Sequence, residues 1–125
     1  MENKKIVLVD DDENLREVFS MGLRQADFSV EEAVNGKEGL KKIKEIFPDL
    51  VLLDVVMPEM DGFELLDAIK NDAVIKNIPV IMLTNLAHED DRRESMRLGA
   101  TDYIVKASVT PSELAEKVKQ YLAQA

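Results

Sequence analysis

Short apolar runs without polar alternation constrain the fold of this chain most strongly. Four of them read IVLV, LVLL, VIML and YIV, and polar residues follow each at once: Asp10-Asp11, Asp54, Thr84 and Lys106. Runs rich in Val, Ile and Leu suit strands buried on both faces, as in a helix-covered parallel sheet. Because ligands in such sheets bind outside the carboxyl ends of the strands, we expect these polar positions to share one edge.

Strand-like and helix-like segments alternate along the chain. The pattern predicts five strands, each followed by a helix, and right-handed crossovers then place helices on both faces of a twisted parallel sheet. The fold class is therefore α/β, a doubly wound sheet in one domain, residues 1–125. The predicted strands lie near 5–9, 28–33, 50–53, 79–83 and 102–105.

Apolar stripes and capping residues define most of the helices. Val18 in the first helix and Phe47 in the second are predicted to face inward with their stripes. Asp12, Asp61 and Thr110 are predicted N-caps, and the last two are followed by the glutamate of a capping box. Such start signals give these helices well-defined first turns.

The predicted fourth helix, 88–98, is mostly charged and is ended by Gly99. Its acidic start, Glu89-Asp90-Asp91, suits a helix N-terminus better than a calcium site, because the helix dipole favours negative charge there. His88 is the only histidine. We interpret it as a polar residue that starts the helix, and not as a catalytic base or a phosphohistidine.

Composition excludes several classes of function. Acidic residues number 25 against 16 basic ones, and the net charge of -9 disfavours binding to nucleic acid or anionic membrane. No cysteine is present, so there is no disulfide or thiol nucleophile. No apolar stretch reaches the roughly 18 residues of a membrane-spanning helix, and MENKK lacks the apolar region of a secretion signal. We expect a soluble, cytoplasmic protein whose partners are proteins or cations.

The polar residues at the strand ends suit phosphoryl chemistry. Repulsion between two of the carboxylates of Asp10, Asp11 and Asp54 is about 4 kcal/mol at ~4 Å and an effective dielectric constant of ~20, so a cation is required. Mg²⁺ fits, because it prefers one or two carboxylates together with waters and phosphate oxygens. Asp54 can then act as a nucleophile toward phosphorus. Lys106 would neutralise charge on the phosphoryl oxygens, and Thr84 could donate a hydrogen bond to one.

Motifs in a fixed order identify a similar family. VDDDENLR, LLDVVMPEMDG, PVIMLT and GATDYIVK together resemble the receiver domain of bacterial two-component response regulators, over nearly the whole chain. The resemblance implies a flavodoxin-like (βα)5 fold with sheet order 2-1-3-4-5 and five flanking helices. It also implies that Asp54 is the phosphorylated residue, Asp11 a direct Mg²⁺ ligand, Asp10 a ligand acting mainly through water, and the Val56 backbone carbonyl a further ligand.

The same resemblance implies a switch. Thr84 and Lys106 would sense the phosphoryl group, and the orientation of Tyr103 would follow activation. The phosphoryl donor would be a phosphohistidine on a sensor histidine kinase or a His phosphotransfer protein. A downstream effector would recognise the face formed by the fourth helix, fifth strand and fifth helix, with the chain a monomer or a phosphorylation-linked dimer. The chain would be a signalling switch rather than an enzyme.

Three positions depart from the usual family pattern. Ala107 replaces the proline that commonly follows Lys106, and we expect a trans peptide there because a non-proline cis bond costs about 3 kcal/mol. Asn85 is bulkier than the usual Ala or Gly and narrows access to the acceptor. Val56 and Leu86 stand where side chains tune dephosphorylation. Apolar groups cannot position an attacking water, so we expect a long-lived phosphoryl aspartate.

Each of these residues has an alternative structural interpretation, and the chain has two alternative functions. Singly, the acids and Thr84 could cap helices and Lys106 could be a solvated strand end, but their joint order at four strand ends favours the site. A phosphatase or another Mg²⁺ hydrolase with an aspartyl phosphate intermediate is one alternative, although this chain offers no cap domain or second acid/base. An interaction module that works unphosphorylated is the other.

Overall fold

The computed structural model describes residues 3–124. A five-stranded parallel sheet in the order β2-β1-β3-β4-β5 runs through the molecule, which confirms the predicted fold and strand order. Each strand lies within one residue of its predicted start and end. The strands are β1 (Lys5–Val9), β2 (Ser29–Ala33), β3 (Leu50–Leu53), β4 (Val80–Thr84) and β5 (Asp102–Val105).

Five α-helices follow the strands in turn, and a single 3₁₀ turn, Lys106–Ser108, comes between β5 and the last helix. Among residues 3–124, no helix has both the length and the apolar character needed to cross a membrane. The helices are α1 (Glu13–Gln25), α2 (Gly36–Ile46), α3 (Gly62–Lys70), α4 (Glu89–Arg97) and α5 (Pro111–Ala123).

Two hydrophobic clusters cover the two faces of the sheet. Alternate residues of β1 point to opposite faces, so Val7 and Val9 join one cluster while Ile6 and Leu8 join the other. Residues of α3 complete the first cluster, and residues of α1 and α5 complete the second. Strands buried on both sides explain why the apolar runs show no polar alternation.

Side-chain caps begin four of the helices. The carboxylate of Asp12 accepts the Leu15 N–H, and Asn35 caps α2 in the same way. Complete capping boxes start α3 at Asp61 and α5 at Thr110, as predicted. By contrast, no side-chain hydrogen bond caps α4.

Two predicted inward-facing residues were wrong. Val18 is 46% exposed, because it lies on the outer border of the α1 stripe whose buried members include Phe19 and Leu23. Phe47 is 53% exposed, because it is the C-cap of α2 in the left-handed region (φ 51°) and the chain has already turned away from the helix. A helical period therefore makes the stripe too wide at Val18 and extends the helix one residue too far at Phe47.

Candidate functional site

The carboxyl ends of four neighbouring strands form one side of a cleft. Asp10 follows β1, Asp54 follows β3, Thr84 ends β4, and Lys106 follows β5. Because β1, β3, β4 and β5 are consecutive in the sheet, these residues lie in a row along one edge. The structure therefore brings together the acids, hydroxyl and ammonium that the sequence placed at strand ends.

Three carboxylates meet at this edge. Asp10, Asp11 and Asp54 each offer an oxygen, and these oxygens lie within 4.8 Å of one another. Asp10 and Asp54 are buried, whereas Asp11 is exposed at the mouth of the cleft. An all-oxygen set of this kind suits a hard cation.

Lys106 provides the positive charge inside the cleft. Its Nζ donates to Asp54 Oδ2 at 2.8 Å and lies 2.6 Å from Asp10 Oδ2. Burial alone would lower the pKa of Lys106, but its contacts with Asp10 and Asp54 outweigh burial and the pKa is raised. The lysine therefore stays charged between the two acids.

Asp10 is the most deeply buried acid of the cluster. Its burial raises the pKa of the carboxyl, and this effect exceeds the opposing influence of Lys106 and of the Asp12 N–H. The Asp12 N–H donates to Asp10 Oδ1 at 2.9 Å, but the buried Oδ2 receives no hydrogen bond of good geometry within residues 3–124, in spite of its ion pair with Lys106. Together with Asp11 and Asp54, Asp10 forms an all-oxygen cluster that could hold a metal ion.

Backbone contacts fix Asp54. Its carboxylate Oδ1 accepts the Val56 N–H at 3.3 Å, and its own N–H donates to Val9 O at 3.0 Å. Gly62, the first residue of α3, donates its N–H to Val55 O at 2.8 Å. A Cβ at Gly62 would lie 2.2 Å from Asp54 O, so only glycine permits this approach.

Gly62 therefore belongs to the site, although the sequence alone placed it only within a helix-capping pattern. The available signal was its position at the end of the motif LLDVVMPEMDG, eight residues after the acceptor candidate. Arg16, in the motif VDDDENLR, is a second residue whose role the sequence alone does not predict. Its guanidinium donates to Asp10 O at 2.8 Å and pairs with Glu32 at 3.1 Å.

Thr84 and Tyr103 meet at the backbone of Leu86. Thr84 is fully buried, and its Oγ1 accepts the Leu86 N–H at 3.4 Å. The Tyr103 hydroxyl donates to Leu86 O at 2.7 Å, so the ring faces inward. Burial, followed by the charges of Asp91 and Asp54, raises the pKa of Tyr103 to about 12. The two predicted switch residues thus contact one loop.

The departures from the family pattern lie around Asp54. Val56, Asn85 and Leu86 line the cleft with Leu15 from α1. The peptide between Lys106 and Ala107 is trans, as expected. His88 is exposed and is the N-cap residue of α4, consistent with a polar residue that starts a helix.

Comparisons with known proteins agree with this geometry. The family model for the response regulator receiver domain matches residues 6–119. The phosphate regulon transcriptional regulatory protein PhoB of Pseudomonas aeruginosa is 37% identical over 122 residues, which are 98% of this chain and 53% of that protein. An uncharacterized 14.6 kDa protein of Leptolyngbya boryana is 40% identical over 116 residues, covering 93% of this chain and 88% of that protein.

Solved structures show the same fold. A CheY-like response regulator receiver domain protein from Methanospirillum hungatei matches with a TM-score of 0.89 and 34% identity, over 98% of this chain and 95% of that chain. This likeness confirms the predicted flavodoxin-like fold. The chain spans about half the length of several curated relatives, as with the probable transcriptional regulators of Porphyridium aerugineum (49%) and Pyropia yezoensis (51%).

Proposed function

This chain belongs to the family of response regulator receiver domains, and on that premise we propose that it accepts a phosphoryl group on Asp54 in two-component or phosphorelay signalling. The observation that carries the proposal is the buried Asp54 carboxylate, which is held by the Val56 N–H and lies 2.8 Å from the Lys106 ammonium. Asp10 and Asp11 complete the acidic cluster.

The transfer itself is a nucleophilic substitution at phosphorus. A carboxylate oxygen of Asp54 forms the new P–O bond, the P–N bond of a partner phosphohistidine breaks, and the leaving imidazole takes up a proton. Lys106 neutralises part of the charge on the phosphoryl oxygens, and the Thr84 hydroxyl donates to one of them. The chain thus catalyses only its own phosphorylation and dephosphorylation, and it acts as a switch rather than as an enzyme.

Mg²⁺ is the proposed cofactor. Asp10, Asp11, Asp54 and the backbone carbonyl of Val56 would hold it. When bound, the ion neutralises carboxylate repulsion and phosphoryl charge. The acidic cluster, in which oxygens of Asp10, Asp11 and Asp54 lie within 4.8 Å of one another, supports this assignment.

The output is a conformational change. Thr84 and Lys106 contact phosphoryl oxygens only in the modified state, so phosphorylation favours one of two conformations. Shifting such an equilibrium from 1:99 to 99:1 requires about 5.5 kcal/mol, which several charge-assisted hydrogen bonds and a metal contact can supply. Tyr103 would transmit the change to the face formed by α4, β5 and α5.

The proposed partners are proteins. The phosphoryl donor is a sensor histidine kinase or a His phosphotransfer protein, and a downstream effector protein or domain recognises the switched face. Neither nucleic acid nor membrane is a partner of this domain, and the chain acts in the cytoplasm as a monomer or a phosphorylation-linked dimer. Its surplus of acidic residues supports the exclusion of nucleic acid and anionic membrane.

Intact mass after incubation with acetyl phosphate and Mg²⁺ tests the proposal. We expect the mass of one phosphoryl group on the wild-type chain and none on Asp54→Asn, with no labelling when EDTA replaces Mg²⁺. Labelling of Asp54→Asn, or none of the wild type, would contradict it. Multiple turnover of small phosphate esters would instead support a hydrolase.

A further inference from the structure

Arg16 connects the acidic cluster to the edge strand β2. We propose that Arg16, held in place by Glu32, is a positioning residue that orients the Asp10–Asp11 peptide for Mg²⁺ binding. This inference rests on the proposed function, because it concerns the metal that the acidic cluster would bind. Arg16 itself touches neither the acceptor nor the phosphoryl group in this scheme.

Among the backbone and carboxylate groups of Asp10, the backbone carbonyl is the one that Arg16 holds. The Asp10 N–H donates to Ala33 O at 3.1 Å, and the Asp10 carboxylate accepts the Asp12 N–H at 2.9 Å. The remaining backbone group is the Asp10 carbonyl, which accepts a guanidinium N–H of Arg16 at 2.8 Å. Since that carbonyl belongs to the peptide that joins Asp10 to Asp11, Arg16 sets the plane of this peptide.

The plane of this peptide matters most for Asp11. Asp11 is exposed, unlike Asp10 and Asp54, so packing does not determine where its carboxylate points. The direction of its side chain depends on the backbone that precedes it. Groups that orient metal ligands without touching the metal commonly change metal affinity 10- to 100-fold when mutated.

Glu32 makes this arrangement compatible with a cation site. A positive guanidinium beside the cluster would by itself oppose Mg²⁺ binding. The Arg16 Nε lies 3.1 Å from Glu32 Oε1, and the side chains are only 11% and 25% exposed, so the negative charge of Glu32 offsets that of Arg16 with little screening by solvent. Removal of Glu32 should therefore weaken Mg²⁺ binding by loss of charge compensation. Removal of Arg16 should also weaken it, because the lost orientation outweighs the loss of a positive charge that Glu32 already compensates.

Arg24 offers a matched control. It also pairs with Glu32, at 3.3 Å, and donates to a backbone carbonyl, Val30 O, at 3.0 Å. Its hydrogen bonds go to β2 and not to the Asp10–Asp11 peptide. Arg24→Gln thus removes an ion pair from the same glutamate, although a more exposed one, without freeing the metal-binding turn.

Calorimetric titration with MgCl₂ tests the inference on the wild type, Arg16→Gln, Arg16→Lys, Glu32→Gln and Arg24→Gln, with melting temperatures recorded in EDTA. We expect the Mg²⁺ Kd to rise about tenfold for Arg16→Gln and severalfold for Glu32→Gln, with no change for Arg24→Gln. Arg16→Lys should also bind more weakly, since a single ammonium does not reproduce the guanidinium fork. The Arg16→Lys variant keeps the test valid if Arg16→Gln does not fold.

The outcomes separate the two proposals. Wild-type affinity in both Arg16 variants, or equal losses in Arg16→Gln and Arg24→Gln, would overturn the role of Arg16 and leave Asp54 phosphorylation intact. A wild-type chain that binds Mg²⁺ but is not phosphorylated by acetyl phosphate would contradict the proposed function alone. A wild-type chain that does not bind Mg²⁺ would overturn both.

Discussion

The two halves of the cleft differ in how firmly their side chains are held. In the half formed by β1 and β3, Asp10 and Asp54 each accept a backbone N–H and both contact Lys106. In the half formed by β4 and β5, Thr84 accepts one N–H at 3.4 Å, and Tyr103 is tied through its hydroxyl to the same loop. Lys106, which follows β5, bonds to both acids of the first half, whereas Thr84 has one long hydrogen bond to its own loop.

Helices α3 and α4 show the same contrast. α3 begins with a complete capping box at Asp61 and buries several apolar side chains, among them Leu66. α4 begins at His88 without a side-chain cap, and Ser95 is its only buried residue. Segments with few buried apolar contacts open at low free energy. The difference is compatible with the proposed switch, in which one side binds the phosphoryl group and the other changes conformation.

Gly62→Ala should have the largest effect on the free energy of unfolding, because it disrupts the backbone in the half of the cleft formed by β1 and β3. The new Cβ would lie 2.2 Å from Asp54 O and 2.6 Å from Val55 Cα, and backbone atoms cannot move aside as side chains do. We expect a loss of ~3 kcal/mol or more in the free energy of unfolding. Urea denaturation measures it.

Gly36→Ala is the control for this substitution. Its Cβ would meet the side chain of Met60 at 2.9 Å, and a flexible methionine can adjust. A cost below about 1 kcal/mol is expected there. Similar losses in the two variants would show that the α3 start is no more tightly constrained than that of α2.

Val56→Asn with Leu86→Glu should hasten loss of the phosphoryl group from Asp54. Both native side chains line the cleft and are apolar, so neither orients a water, whereas an amide and a carboxylate can. We expect the first-order loss to accelerate about tenfold, below the contribution of an evolved acid or base. Phosphoprotein decay after removal of donor measures it.

The single variants test the two halves separately. The Val56 N–H donates to Asp54 Oδ1 at 3.3 Å, and the Leu86 N–H and carbonyl bond to Thr84 and Tyr103, so both new side chains lie on a bonded backbone. We therefore expect each single variant to accelerate the decay, and an unchanged decay in the double variant would contradict the prediction.

Local signals in the sequence predict most of the fold and the edge of the sheet at which the site lies. Unbroken apolar runs fix the strands, and capping residues such as Asp61 and Thr110 mark where helices begin. Polar residues at strand ends converge because parallel strands share a carboxyl edge. These features depend on residues close together in the chain and on the strand order.

Contacts between distant segments could not be predicted in the same way. Arg16 reaches Glu32 only because β1 and β2 pair in one register, with Leu8 opposite Glu32. The need for glycine at position 62 arises from the backbone of Asp54 and Val55, just after β3, and not from α3 itself. Val18 and Phe47 are exposed because the period of an apolar helix stripe does not show how wide the stripe is or where the helix ends.

Substitution of the N-cap residues also compares α3 with α4, with a smaller expected change in the free energy of unfolding. Asp61→Ala loses the side-chain acceptor for the Glu64 N–H, a bond of 2.9 Å, and should reduce the free energy of unfolding by about 1 kcal/mol. His88→Ala should change it by less than ~0.5 kcal/mol, because His88 makes no capping bond. Chemical denaturation of both variants checks this, and an equal cost would mean that α4 is as firmly started as α3.

Tyrosine ionisation should leave stability unchanged at neutral pH, and it probes the β5–α5 side of the less firmly held half. The Tyr121 hydroxyl donates to Asp102, and this bond, with burial, raises the pKa of Tyr121 to about 12. Burial raises the pKa of Tyr103 to the same value. The folded state therefore keeps phenol protons that the unfolded chain loses near pH 10, so stability is complete below about pH 10 and falls as pH rises toward 12.

Phenolate absorbance measures this directly, because the chain has two tyrosines and no tryptophan. The folded protein should ionise later than the same protein in urea, and Tyr121→Phe isolates Tyr103. A late transition for Tyr103 in that variant means that the ring stays buried in the resting state. A transition near pH 10 would mean that the ring already leaves its pocket there, so the second half of the cleft would be looser than its hydrogen bonds indicate.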